Sequence, residues 1–180
     1  MVGKADMISF EWFDVRQSTL IDVPQVYRID SESMVSSFAE DTFINKMEYH
    51  GDMFLVATGH PSAENSPVYG YIVGSPNEMY TSKIFKGFIY ISRFAVKNKV
   101  RRRGVGTSLL AVLENYMMAT GKYRGIVLDV RASNTPSLTF FKTKGYVVSK
   151  RSKPEGYVTG DTRMDRYKVV LYKRFPTVNC

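Results

Sequence analysis

Two spacings of apolar residues run along the chain and divide it into elements. Runs of alternating or nearly continuous apolar residues at 8–15, 53–58, 68–73, 88–96, 125–131, 146–151 and 167–175 predict strands. Between them, Ile21, Val26 and Ile29 share one face of a predicted helix over 20–29, followed by a polar connection at residues 30–33. A second helix is predicted over 39–49, with Gly51 as its stop. A third, over 105–120, places Leu109, Leu113, Tyr116 and Met117 in one stripe and ends near Gly121. Pro136 suits the first turn of a fourth helix, capped by Asn134 or Thr135 and closed by Gly145. The segment 60–67 carries two prolines and joins two strands into a hairpin, and a loop spans 75–86. Pro154, Gly156 and Gly160 mark the loop between the last two strands.

This order predicts an α/β (α+β) fold: one domain over residues 1–180, with a mixed central sheet of about seven strands and about four helices. Length supports the single domain, since 180 residues give room for one full core.

The chemistry concentrates where the central strand ends. There Arg101, Arg102, Arg103, Gly104, Val105, Gly106 and Thr107 form a cationic turn that opens the third helix. Unpaired backbone N–H groups, the positive end of a helix dipole and several cations converge on one spot, which suits a diphosphate. Neither common nucleotide motif is present: there is no GxxxxGK[ST], and no G-x-G-x-x-G with its acidic residue.

Charge sharpens this only slightly. The formal charge of +8 implies an anionic partner, and five of the seven residues from Lys97 to Arg103 are basic. A nucleic-acid patch would explain that density, but it leaves the glycines at 104 and 106 without a use. Nucleic acid is therefore not the expected partner. Cys180, the only cysteine, allows no intrachain disulfide, so a reducing, cytoplasmic setting is expected. No apolar run approaches a membrane span, and His50 and His60 lack metal-ligand spacing; neither a membrane nor a metal is expected.

Asp129 stands out as the one carboxylate within the apolar run 126–130, where desolvation would raise its pKa toward that of a useful base. Pairing with Arg131 or Arg93 is the plain alternative. Tyr90, on the central strand, is either a second candidate or an ordinary core aromatic.

Arg101-x-x-Gly104-x-Gly106 after a strand, then a helix and the segment Val130-Arg131-Ala132-Ser133-Asn134, resembles the GNAT superfamily of acyl-CoA-dependent N-acetyltransferases. Residues 128–134 with 141–146 are most similar to the protein N-terminal acetyltransferases, including bacterial ribosomal-protein alanine acetyltransferases. Residues 27–43 and 157–161 extend the likeness over nearly the whole chain. The resemblance implies a splayed sheet that holds acetyl-CoA, with the diphosphate on residues 101–107 and the pantetheine arm along Phe94, Ala95 and Val96. It implies Asp129 as the base, acting through a water that Tyr90 helps to position. Asn134 either binds pantetheine or caps its helix.

One departure concerns Phe141, which stands near the coenzyme sulfur where the family usually has a tyrosine assigned as general acid. Water or a displaced hydroxyl such as that of Tyr167 would have to compensate; a thiol with a pKa near about 8.5 can also leave as the anion. The implied acceptor is a protein or peptide N-terminus, flanked by Glu32, Met34 and the rest of the 32–36 loop together with Tyr157 and Tyr167. An auxiliary subunit or the ribosome is left open as a partner. The alternatives are a small-molecule or lysine N-acetyltransferase of the same fold, and a catalytically silent acyl-CoA-binding subunit.

Overall fold

A computed structural model describes residues 7–34, 36–61, 65–79, 83–149 and 168–176. The chain divides into two compact units, one of residues 1–75 with 92–122 and one of residues 76–91 with 123–180.

The first unit begins with β1 (Ile8–Ser9) and β2 (Phe13–Gln17), an antiparallel pair in which Ile8 faces Val15. The predicted single strand 8–15 is thus broken by a bend at Glu11 and Trp12 and refolds on itself. A short 3-10 turn, Leu20–Asp22, precedes helix α1 (Val23–Ser33). The Asp22 carboxylate ties the turn down: it accepts from the Thr19 amide at 2.8 Å and from Arg16 at 2.7 and 2.9 Å. Pro24 sits in the first helical turn, where its missing N–H costs nothing. Helix α1 starts later than its apolar stripe predicts and absorbs the supposed connection at residues 30–33 as its last turn.

Helix α2 (Glu40–His50) opens on Glu40 and Asp41, acidic residues that suit the positive end of its dipole. Gly51 follows it as the expected stop, at φ −58°, and opens a short 3-10 turn. Strands β3 (Phe54–Gly59) and β4 (Val68–Pro76) are the predicted hairpin, antiparallel with a register shift at Ala57 and Thr58. Strand β5 (Phe88–Val96) matches the sequence pattern and gives its last five residues to this unit. Helix α3 (Val105–Ala119) buries Leu109, Leu113 and Met117 as its stripe requires. Strands β3 and β4 meet α1 and α2 through a core of Val26, Ile29, Phe43, Phe54 and Tyr71. Each such side chain contributes about 1.5–3 kcal/mol on burial.

The second unit holds the first residues of β5, then β6 (Gly125–Arg131), α4 (Thr135–Thr143), β7 (Val147–Val148) and β8 (Lys168–Arg174). Strand β6 runs parallel to β5, with Tyr90 opposite Val127, and antiparallel to β8, with Asp129 opposite Val170. Phe85, Phe88, Val127 and Val170 form its core, with Tyr90 and Tyr172 packed alongside. A Cβ on Gly125 would lie 2.2 Å from the Lys173 carbonyl, so only glycine lets β6 start this close to β8. The sheet order is β1-β2-β3-β4-β5-β6-β8-β7. Among the described residues its eight strands exceed the expected seven because the first predicted strand is two.

Candidate active site

In the first unit the cationic turn is built by its own backbone. After β5, a 3-10 turn (Asn98–Val100) leads to Arg101, whose Nε donates to the Val96 carbonyl at 2.9 Å and closes the bend. Arg102 and Gly104 both adopt left-handed backbone, at φ 59° and 89°. Gly104 is the N-cap of α3 and brings no side chain to cap it; the first intrahelical bond runs from the Ser108 amide to its carbonyl at 2.9 Å. By helix geometry the amides of Val105, Gly106 and Thr107 have no intrahelical acceptor. A cap-free start at the positive end of a fifteen-residue helix is an anion seat. A Cβ on Gly104 would meet nothing within 4 Å, so the turn's conformation, not crowding, requires this glycine.

Close approach is needed one strand away. A Cβ on Gly70 of β4 would lie 2.9 Å from the Ala95 carbonyl and 3.2 Å from the Val96 Cα, within the very stretch Phe94 to Val96 singled out for a coenzyme arm. Ala95 is buried, Phe94 and Val96 half-buried. The Arg103 guanidinium lies over the Trp12 ring at 4.2 Å, a pairing with no signal in the local sequence.

In the second unit, β5 and β6 bring both predicted catalytic candidates together. The Tyr90 hydroxyl donates to Asp129 Oδ2 at 2.8 Å, and Lys168 Nζ stands 2.7 Å from Oδ1. The Asp129 side chain is 9% exposed and that of Lys168 36%. Asp129 therefore has a cation and a phenol beside it, where an apolar surround was expected. Its ion-pair partner is neither Arg131 nor Arg93. Lys168 lies two positions along β8 from Val170, the residue opposite Asp129, so the alternation of the strand puts it on the same face. Nothing in the sequence near Asp129 could have named it.

Asn134 caps α4, its Oδ1 accepting from the Ser137 amide at 3.2 Å. That is one of the two roles foreseen for it. Phe141 is buried, edge-on to Phe140 and to Tyr146 with ring centroids at 5.2 and 5.3 Å. Glu32 is exposed on the last turn of α1, and Met34, which ends that helix, packs against the core. Tyr157 and Tyr167 lie outside the described residues. Lys97, just past β5, has its pKa lowered by burial first and by Arg28, with Glu32 opposing.

A buried network missed by the sequence reading anchors the residues after α1. Asp30 Oδ1 accepts a short hydrogen bond from the Tyr71 hydroxyl and faces Arg93 Nε at 3.4 Å; Oδ2 accepts from Ser37 Oγ at 2.9 Å and from the Phe38 amide at 2.8 Å. Arg93 also covers the Phe38 ring at 3.5 Å and donates to the Ser36 carbonyl. Burial first, then the hydrogen bond and charge of Asp30, push the Tyr71 phenol far above its ordinary range, against the opposing pull of Arg93.

Among the described residues no group of three or more His, Cys, Asp or Glu is placed to hold a metal. No helix among them is long and apolar enough to cross a membrane.

The sequence profile of the Acetyltransferase (GNAT) family matches residues 23–146. An N-alpha-acetyltransferase of Sulfolobus acidocaldarius is 29% identical over 136 residues, covering 72% of this chain and 77% of that protein. Among solved structures, Ard1 from Thermoplasma volcanium superposes with a TM-score of 0.73 at 22% identity, over 92% of this chain and 99% of that one. The NatC complex bound to Gag peptide and CoA gives 0.71 at 14% identity, over 91% and 99%.

Proposed function

The chain belongs to the GNAT family of acetyltransferases, and from that premise we propose that it moves the acetyl group of acetyl-CoA directly to the α-amine at a protein N-terminus. The N-alpha-acetyltransferase of Sulfolobus acidocaldarius supports the acceptor, and the CoA-bound NatC complex supports the donor. The single structural observation that carries the reading is the cap-free start of α3 behind left-handed Gly104.

In the first unit, the amides at the start of α3 hold the diphosphate, and the end of β5 at Phe94 to Val96 offers backbone to the pantetheine amides. A bound acetyl thioester supplies the electrophilic carbonyl. In the second unit, Asp129 takes the proton that the amine sheds as it attacks, through a water. The Tyr90 hydroxyl fixes the orientation of that carboxylate and Lys168 balances its charge. The amine's own chemistry favours a terminus: presenting it neutral at pH 7 costs about 1.4 kcal/mol for an α-amine and about 4.6 kcal/mol for a lysine. Phe141 has no proton to give, so the coenzyme thiol leaves as the anion or is protonated by water.

The test uses acetyl-CoA and two peptides identical except for a blocked α-amine, read by mass spectrometry. Acetylation of the free terminus alone is expected; modification of lysine alone overturns the acceptor. A second reading, a silent acyl-CoA-binding subunit, is favoured by the buried ring of Phe141. Acetyl-CoA binding without turnover of any peptide, relieved by Phe141→Tyr, would establish it. The NatC and NatB assemblies among the neighbours make an auxiliary subunit a reasonable partner to seek.

A further inference from the structure

Arg101 and Arg103 flank the same seat but spend their guanidinium groups differently. Arg101 uses an edge N–H on the Val96 carbonyl, inside the turn. Arg103, next to the N-cap Gly104, has its guanidinium carbon over the Trp12 ring, 4.2 Å from the centroid. The ring beneath it is braced, with Phe13 at 4.9 Å in an edge contact and Tyr69 at 5.3 Å. A stacked guanidinium keeps its in-plane N–H groups for another partner, because the ring engages only the face. Those edges match phosphate oxygens, which a planar fork binds in pairs. An exposed arginine otherwise loses much rotamer freedom when it binds; one already held flat loses less.

We propose that Trp12 is a positioning residue for coenzyme phosphate, holding Arg103 flat so that its in-plane N–H groups are presented to the phosphate oxygens at the start of α3. This rests on the reading of residues 101–107 as the coenzyme's phosphate seat. The phosphate is either the diphosphate or the 3′-phosphate of the adenosine end. Trp12 acts through Arg103 and touches no reacting atom.

Calorimetry of CoA binding to the wild type, Trp12→Leu, Arg103→Ala and the double variant tests it. Arg103→Ala should weaken binding about tenfold, and Trp12→Leu about threefold. The double variant should bind no more weakly than Arg103→Ala, since the ring has nothing left to hold. Trp12→Phe keeps a ring and should recover most of the loss, while Arg103→Lys keeps the charge without the plane and should not. These two variants serve if Trp12→Leu fails to fold, as far-ultraviolet circular dichroism would show.

Dephospho-CoA separates the two sources. An Arg103 effect that persists assigns the diphosphate, and one that vanishes assigns the 3′-phosphate. Trp12 is the only tryptophan, so its emission should change saturably with CoA at the calorimetric Kd. Unchanged affinity in Trp12→Leu, or losses that simply multiply in the double variant, overturn this proposal and leave the acetyltransferase reading intact. Absence of heat with the wild type overturns both.

Discussion

Asp30→Ala should be among the most destabilising single changes in the first unit. The carboxylate is fully buried; Tyr71, Ser37 and the Phe38 amide donate to it, and the Arg93 Nε faces it as an ion-pair partner at 3.4 Å. Not all of these count equally. Ser37 is exposed and can turn to water, whereas Tyr71 is wholly buried and its hydroxyl would be stranded. Arg93, 20% exposed, would lose the charge it faces. Breaking a buried ion pair from one side costs about 3–5 kcal/mol, which in a chain of this size lowers the melting temperature by roughly 6–20 °C. Asp30→Asn keeps the volume but fares little better, because an amide offers one acceptor oxygen where two are in use and adds donors beside donors. Urea unfolding followed by circular dichroism reads the loss, compared at equal slope. Adding Tyr71→Phe to Asp30→Ala removes the stranded hydroxyl and should return about 1 kcal/mol. A loss under about 1 kcal/mol for Asp30→Ala, or strict additivity in the double variant, would refute this account.

The same pair gives an alkaline signature. An acid whose pKa is raised on folding adds stability that is complete below the unfolded value, here 10.0, and is lost as pH climbs beyond it. Above that point wild type should lose stability faster than Tyr71→Phe by about 1.4 kcal/mol per pH unit, as measured by urea unfolding at stepped pH. At the candidate base, Asp129→Asn should lower kcat about 10²- to 10⁴-fold with little change in CoA affinity; unchanged turnover would remove Asp129 from the chemistry. Gly104→Ala should cost about 1–2 kcal/mol from left-handed backbone alone, since the added methyl meets no atom; a melting curve checks it. Gly70→Ala forces a methyl against the Ala95 carbonyl and should weaken acetyl-CoA binding more than Gly104→Ala weakens folding, as calorimetry beside the melting curve would show.

What was legible in the sequence was what neighbouring residues encode. The alternation of β5, the stripe of α3 and the Asn134 cap each depend on residues within a few positions, and each was found where expected. The first strand was misread because an apolar run does not show where it folds back; the bend at Glu11 and Trp12 interrupts it without a glycine or proline. Gly51 ends its helix as expected, though without left-handed backbone, since a glycine permits that conformation without requiring it. Candidate residues could be named one by one, but not the residues that stand beside them. Lys168 beside Asp129, Trp12 beneath Arg103 and Asp30 facing Arg93 are each joined by the sheet or by helix packing, across long stretches of chain. The exchange of an expected apolar surround for a cation at Asp129 follows from the same blindness to distant strands.

The three consecutive arginines illustrate what a tally of charge conceals. Replacing all of them by lysine would leave the isoelectric balance untouched, yet it would unpick a stitch between Arg101 and the main chain and strip a flat plate from Trp12. An ammonium has neither the Nε that makes the first nor the plane that makes the second. Among homologues, arginine at 101 and 103 should therefore track a preserved bend more faithfully than basicity does, and swaps that look harmless on an electrostatic map would remodel the loop.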